Sequence, residues 1–163
     1  MLIRPAHAND LPAILAIYND VILTSTAVYC DDPVSLEERQ AWFDGRMAKG
    51  YPVLVAELNE KIVGYASFGD FRTFPGYRFT VEHSVHIAQD CRGHGVGSAL
   101  VEALIPLAVA MEKHVMVAGV DASNRGSVRF HQRLGFEEVA RMPEVGYKFG
   151  RWLDLVLLQR ILK

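Results

Sequence analysis

The sequence has 163 residues, of which 50% are apolar and 22% charged, with a formal net charge of −2 and a pI near 6.3. This size and balance predict one compact domain over residues 1–163. The charge excludes the basic footprint of nucleic-acid binding and a polybasic signal for anionic membranes, so we expect small-molecule or protein partners. The N-terminus lacks the pattern of a secretory signal, and no apolar run is long enough to span a membrane, so we expect a cytoplasmic protein.

The first half of the chain predicts a strand, two helices and a β-hairpin. Residues 2–4 can form the strand, and Asn9 or Asp10 can cap a helix that tolerates Pro12 in its first turn. Apolar residues then recur at helical spacing: Leu11, Ile14, Leu15, Tyr18, Val21 and Ile22. A capping-box pattern at 35–38 predicts a second helix that Gly50 ends, with an apolar face made of Leu36, Trp42, Phe43 and Met47. The hairpin strands are expected at 52–57 and 61–69.

The second half predicts a loop, then alternating strands and helices. Residues 70–78 form an aromatic loop, and a strand over 80–88 leads through a glycine-rich turn into a helix towards Met111. Pro106 lies inside that helix, so we expect a bend or break near Ile105. A buried strand at 114–119, a helix at 124–134 stopped by Gly135, and closing strands at 137–141 and 152–161 complete the chain. This order predicts an α/β fold with a mixed sheet.

The turn over residues 92–98 contains three glycines, Gly93, Gly95 and Gly97, between a strand and a helix. Glycines allow positive φ and close approach, and a helix N-terminus attracts anions, so the turn can hold a pyrophosphate. The turn could be mistaken for a dinucleotide-binding fingerprint. That fingerprint needs a third glycine or alanine where this chain has Ser98, and it follows the opening strand of a parallel unit, whereas this turn lies mid-chain after a hairpin, so both features disfavour it. A tight connection without a ligand is the other alternative.

The pattern Arg92-x-x-Gly95-x-Gly97 resembles the acetyl-CoA motif of the GNAT acetyltransferase superfamily. Three further segments, at 64–70, 80–85 and 145–155, are similar to the phosphinothricin and methionine sulfoximine N-acetyltransferase family. The resemblance covers essentially the whole chain. It implies the GNAT acyl-CoA N-acyltransferase fold, in which a twisted, mostly antiparallel sheet with a splayed strand pair is flanked by about four helices.

The resemblance implies acetyl-CoA as the acetyl donor, with no metal. Residues of the splayed strand would contact the pantetheine arm, the glycine turn would hold the pyrophosphate, and Asn124 would bond the pantetheine. Asn124 can also be a plain helix cap, and the two roles are compatible. The expected cofactor-binding residues are Val85, His86, Ile87, Arg92, Gly93, His94, Gly95, Val96, Gly97, Ser98, Asn124 and Arg133.

Glu82 is the candidate general base, because an amine attacks a thioester only as the free base and a nearby carboxylate can accept its proton. Strand alternation places Glu82 and Ser84 on one face and His83 on the other, among apolar residues. Glu82 could otherwise be a solvated residue or an ion-pair partner, and His83 a hydrogen-bonded core histidine. His83 and His86 project to opposite faces, so they do not form a metal pair.

The remaining site residues are expected in three segments. Arg72, followed by Thr73 and Phe74, could clamp a substrate carboxylate, or could be an ordinary surface arginine. A backbone N–H near Val85 or His86 could stabilise the oxyanion. Many superfamily members have a tyrosine where this chain has His131, and we hypothesise that His131 assists the departing thiolate. The chain also departs from the family in having Phe71 and Tyr29 at positions where tryptophan is frequent.

The resemblance, together with these residues, implies an N-acetyltransferase that moves an acetyl group from acetyl-CoA to the α-amino group of a small amino-acid analogue such as methionine sulfoximine, methionine sulfone or phosphinothricin. A protein or polyamine N-acetyltransferase of the same fold and a non-catalytic acyl-CoA sensor are the alternatives. In similar enzymes the closing segment, here with Lys148, Arg151 and Trp152, packs near a two-fold interface, so the resemblance also implies a homodimer.

Overall fold

A computed structural model describes residues 1–163 as seven strands and four helices. The strands are β1 (Leu2–Pro5), β2 (Val53–Leu58), β3 (Lys61–Asp70), β4 (Thr80–Ile87), β5 (Val115–Asp121), β6 (Glu137–Lys148) and β7 (Arg151–Ile161). The helices are α1 (Leu11–Thr24), α2 (Leu36–Ala48), α3 (Val96–Ala110) and α4 (Arg125–Arg133). None of these helices is both long and apolar enough to cross a membrane.

All seven strands form one sheet in the order β1-β2-β3-β4-β5-β7-β6. Every neighbouring pair is antiparallel except β4 and β5, which are parallel. Helices α1 and α2 cover one face, and α3 covers the other together with the buried residues that follow α4. The mixed, mostly antiparallel sheet with four flanking helices confirms the predicted fold class.

Each sheet face has its own hydrophobic core, which follows from strand alternation in β2. Leu54 and Ala56 belong to the cluster of 20 buried residues under α3, whereas Val53 and Val55 belong to the cluster of 7 under α1 and α2. At about 25 cal/mol per Å² of buried apolar surface, these two cores supply the main stabilisation of the fold. They also fix β3 and β4 rigidly between the helix layers.

The parallel pair separates after only three positions. Thr80, Val81 and Glu82 pair with residues 115–117, and beyond Glu82 the two strands have no further register. β4 remains paired with β3 as far as Ile87 on its other edge. The edge of β4 that faces β5 therefore lacks a strand partner over 83–87, as the predicted splay requires.

The structure differs from the sequence-based elements in three places. β6 extends to Lys148 rather than ending at Arg141, and its register shifts at two points interrupt the alternation that would have shown this in the sequence. α3 continues through Pro106, so no break occurs near Ile105; buried residues in the turns on either side hold the helix together. Asp10 precedes α1 without capping it, because its carboxylate binds Arg4 instead.

Candidate active site

A cleft of about 1050 Å³ opens where β4 and β5 separate. Its walls come from the C-terminal half of α1, one face of α2, the splayed part of β4, the N-terminal turn of α3, and α4. Most residues that the sequence assigned to a site line this cleft: Glu82, His83, Ser84, Val85, His86, Ile87, Arg92, Gly93, Gly95, Val96, Gly97, Ser98, Asn124, His131 and Arg133. His94, Arg72, Thr73 and Phe74 do not line it and are exposed.

The glycine turn leaves the N-terminus of α3 open to the cleft. Gly93 and Gly95 both have a φ of 80°, a left-handed conformation that disfavours other residues. Gly95 is the N-cap of α3, and no side chain caps the helix. The first amide groups of α3 therefore have no partner within the helix, and together with the positive end of its dipole they form an anion site.

The position of Asn124 is compatible with both of its expected roles. Its Oδ1 accepts a hydrogen bond of 3.1 Å from the backbone N–H of Ser127, which makes it the N-cap of α4. The residue also lines the cleft, on the side of α4. A capping amide retains its NH₂ group, so Asn124 keeps two donors for a ligand.

Glu82 is half-buried and forms no ion pair within the chain. Its carboxylate lies above Gly119 of β5, where a side chain would come within 3.9 Å of Oε2. Burial raises the pKa of Glu82 above its ordinary 4.5, and the positive charge of Arg72 opposes that rise. A carboxylate with a raised pKa and no partner is suited to accept a proton.

His83 lies on the opposite face of β4, in contact with His131 of α4. The two Nε2 atoms are 3.0 Å apart, and the Nδ1 atom of His131 is 2.8 Å from the Ser127 carbonyl oxygen. Since that carbonyl only accepts, neutral His131 carries its proton on Nδ1, and His83 donates from Nε2. Burial lowers the pKa of His83 to about 3 and also lowers the pKa of His131, so both rings are neutral near pH 7.

The loop that carries Arg72 lies at the rim. The Arg72 guanidinium is 5.2 Å from the centroid of the Phe71 ring, and its charge lowers the pKa of Glu82. Phe74 is 73% exposed, and Thr73 is also exposed. Arg72 is therefore close enough for its charge to act on Glu82, although none of the three residues lines the cleft.

Helix α2 contributes a wall of the cleft that was not predicted from the sequence. Arg39, Trp42 and Arg46 line the cleft together with Tyr18 of α1 and Tyr65 of β3. The expected apolar face of α2 was partly wrong, because Leu36 and Met47 are 47% and 43% exposed. The spacing of residues 39, 42 and 46 places them on one helical face, which is the signal that could have shown this wall.

The Acetyltransferase (GNAT) family model matches residues 14–136, a range that contains the splayed strand, the glycine turn and the first turns of α4. The chain belongs to the GNAT acetyltransferase family. It is 53% identical to the L-methionine sulfoximine/L-methionine sulfone acetyltransferase of Pseudomonas aeruginosa, an alignment that covers 96% of this chain and 92% of that one.

Two solved structures extend the comparison. The ribosomal-protein-alanine N-acetyltransferase of Brucella melitensis is 47% identical, with a TM-score of 0.98 over 99% of this chain and 100% of that one. The yncA protein of Salmonella typhimurium, solved with its cofactor acetyl-CoA, is 48% identical, with a TM-score of 0.96 over 99% and 94%.

This GNAT protein is therefore an acetyltransferase that uses acetyl-CoA. The chain fits that donor: the open N-terminus of α3 suits a pyrophosphate, and the unpaired edge of β4 offers backbone groups to the amides of a pantetheine arm. The structure contains no group of three or more histidine, cysteine, aspartate or glutamate side chains positioned to hold a metal ion.

Proposed function

We propose that the enzyme acetylates the α-amino group of a small amino-acid analogue such as methionine sulfoximine, methionine sulfone or phosphinothricin. The observation that carries this proposal is the unpaired Glu82 carboxylate at the point where β4 and β5 separate. The identity of 53% to a methionine sulfoximine/sulfone acetyltransferase supports this class of substrate.

Glu82 acts as the general base in this proposal, directly or through one water. The substrate nitrogen forms its bond to the acetyl carbon, the carbon–sulfur bond breaks, and the proton lost by nitrogen goes to Glu82. Its raised pKa makes it a better base than an exposed carboxylate. A backbone N–H of Val85 or His86, on the free edge of β4, would stabilise the oxyanion.

Arg72 would bind the substrate carboxylate, with Thr73 and Phe74 beside it. Ser84, on the same face of β4 as Glu82, would contact the substrate, and His83 lines the cleft from the opposite face. His131 is the proposed aid to the departing thiolate. Both of its ring nitrogens are engaged with Ser127 and His83, so this role requires one of those bonds to exchange. Unchanged turnover and pH profile in His131→Ala would remove it from the mechanism.

CoA release measured with methionine sulfoximine, methionine sulfone, phosphinothricin and unmodified amino acids tests this function. Glu82→Gln should lower kcat about 10²- to 10⁴-fold, the usual contribution of a positioned acid or base. Glu102→Gln, a matched change at an exposed position of α3, should leave kcat unchanged. Acetyl-CoA binding without turnover of any amine would instead support a sensor.

Acetylation of a protein N-terminus is a second candidate, favoured by the likeness to the Brucella melitensis alanine N-acetyltransferase. A peptide that begins with alanine separates the two. Turnover of this peptide at a higher kcat/KM than of methionine sulfone would replace the first proposal.

We also propose a homodimer that uses β6 and β7. Tyr147 and Trp152 pair directly across these two strands, with ring centroids 4.8 Å apart, and form an exposed aromatic patch that is typical of an interface. Further large apolar side chains of these strands and their turn are also exposed: Val139, Met142, Val145, Phe149 and Ile161. Trp152, 63% exposed, is the natural probe. Sedimentation should give a dimer for the wild type and a monomer for Trp152→Lys; a wild-type monomer at micromolar concentration would contradict the proposal.

A further inference from the structure

Helix α2 places two arginines and a tryptophan on the wall of the cleft. The Arg39 guanidinium lies between two aromatic rings, 4.0 Å from the centroid of Tyr18 and 4.0 Å from that of Trp42. Arg46 approaches the same tryptophan at 5.6 Å. Arg39 is only 7% exposed, although arginine is among the residues least often buried.

Neither arginine has an acidic partner. The Nε atom of Arg39 is buried without a hydrogen bond, and its Nη1 atom reaches only the Tyr65 hydroxyl, at 3.5 Å. Arg46 donates from Nε to the Ser67 hydroxyl at 3.2 Å. Asp70, whose charge acts on Arg46, already binds Lys49 and Tyr51. Two buried or half-buried cations without a counter-charge are costly unless a ligand completes them.

The pair lies beside the proposed base. Arg46 contacts Ser67 and lies against Gly69 of β3, and these positions pair with Ser84 and Glu82 of β4. Directly paired residues project from the same face of a sheet, about 5 Å apart. Arg46 is therefore on the same face as the carboxylate of Glu82 and one strand away from it. Burial lowers the pKa of Arg46, and the like charge of Arg39 lowers it further.

We propose that Arg39 and Arg46 form a subsite for the oxygens of a tetrahedral sulfur or phosphorus group at the far end of the substrate. This inference rests on the proposed function, in which Glu82 receives the α-amino group and Arg72 the carboxylate. Sulfone, sulfoximine and phosphinate groups each present oxygen acceptors that guanidinium N–H groups bind well. Methionine has the same chain with a thioether and offers no such acceptors, so the subsite selects oxidised over unmodified side chains.

The test compares kcat/KM for methionine sulfone and phosphinothricin with kcat/KM for methionine. Arg46→Met and Arg39→Met should each lower the values for the oxygenated substrates about 10- to 100-fold, as expected for lost hydrogen bonds to a charged group, and change the value for methionine less than 3-fold. Gly69→Ala is an independent probe, because its new methyl group would overlap the Arg46 guanidinium and displace it without removing its charge. Arg129→Met, at an exposed position of α4 outside the cleft, is the matched control.

Calorimetric binding of methionine sulfone to the CoA-bound protein separates this inference from the proposed function. If Arg46→Met weakened the binding of methionine and of its sulfone equally, the subsite proposal would be overturned, and Arg46 would instead bind the α-carboxylate that both ligands share. A wild type that binds the sulfone without acetylating it refutes the proposed function, and the subsite then stands only if Arg46→Met weakens that binding. A wild type that neither binds nor acetylates the oxygenated substrates overturns both.

Discussion

Replacing Lys148 by methionine should destabilise the protein by about 3 kcal/mol. Lys148 is fully buried at the end of β6, and its ammonium donates to the carbonyl oxygens of Ile22, Ser25 and Val28, each at 2.7 Å. Three bonds to a charged group are worth roughly 1.5–3 kcal/mol each. Part of that sum is offset because the variant no longer has to desolvate an ammonium group, at several kcal/mol.

The same variant should weaken substrate binding, because the three carbonyls belong to the end of α1 and the loop after it, whose residues Ser25, Ala27 and Val28 line the cleft. Urea unfolding gives the free energy, and steady-state kinetics give KM for the amine. Lys61→Met, an exposed lysine at the start of β3, should change stability by less than about 0.5 kcal/mol. A loss below 1 kcal/mol in Lys148→Met, with KM unchanged, would refute this account of the lysine.

Three further outcomes follow from the contacts. Gly146→Ala should lower stability by about 1–3 kcal/mol in urea unfolding, because its methyl group would overlap the Tyr29 ring; an unchanged midpoint would contradict this. Arg72→Met should move the acid limb of the pH profile of kcat/KM to higher pH, because removing the cation raises the pKa of Glu82 further. An unshifted acid limb would show that the charge of Arg72 does not affect the pKa of Glu82. The pKa of His83 is about 3 in the folded protein, against an ordinary 6.5 in the unfolded chain. As pH falls from 6.5 towards 3, this histidine takes up a proton only in the unfolded chain, so the free energy of unfolding decreases. Between pH 6.5 and 5 this loss is about 1.6 kcal/mol, and urea unfolding of His83→Gln at both pH values should lack it.

The glycine turn and the strand before it could be predicted because both signals are local. Positive φ at Gly93 and Gly95 requires glycine, and the alternation of β4 correctly separated Glu82 from His83. The Asn124 cap is equally local, since it satisfies a backbone N–H only three residues away. The part of the cleft that is proposed to bind the cofactor is thus encoded in short segments that sequence patterns describe well.

The part of the cleft that is proposed to bind the amine depends on contacts between distant segments. In the sequence, Arg39 and Arg46 look like solvent-exposed charges on a helix. In the structure, Arg39 contacts Tyr65 and Arg46 contacts Ser67, both on β3. The pairing of His83 with His131 joins residues 48 apart in the chain. Helical spacing places residues 39, 42 and 46 on one face of α2, but no periodicity within α2, β4 or α4 shows which residues that face contacts, because those contacts form only when the helices pack on the sheet.

Because the proposed donor and amine sites use different elements, the selectivity for the amine should change independently of acetyl-CoA binding. The α3 turn and the free edge of β4 would bind the donor, whereas α1, α2 and the loop between them form the wall that Lys148 ties to β6. Substitutions at Arg39 or Arg46 should therefore alter the choice of amine while KM for acetyl-CoA stays within about 2-fold, since sites without shared contacts behave additively. Substituting Gly95 should do the reverse, raising KM for acetyl-CoA equally with every amine, because any side chain there strains the positive φ that opens the anion site. If either substitution changed both the selectivity among amines and KM for acetyl-CoA, the donor and amine sites would be energetically coupled.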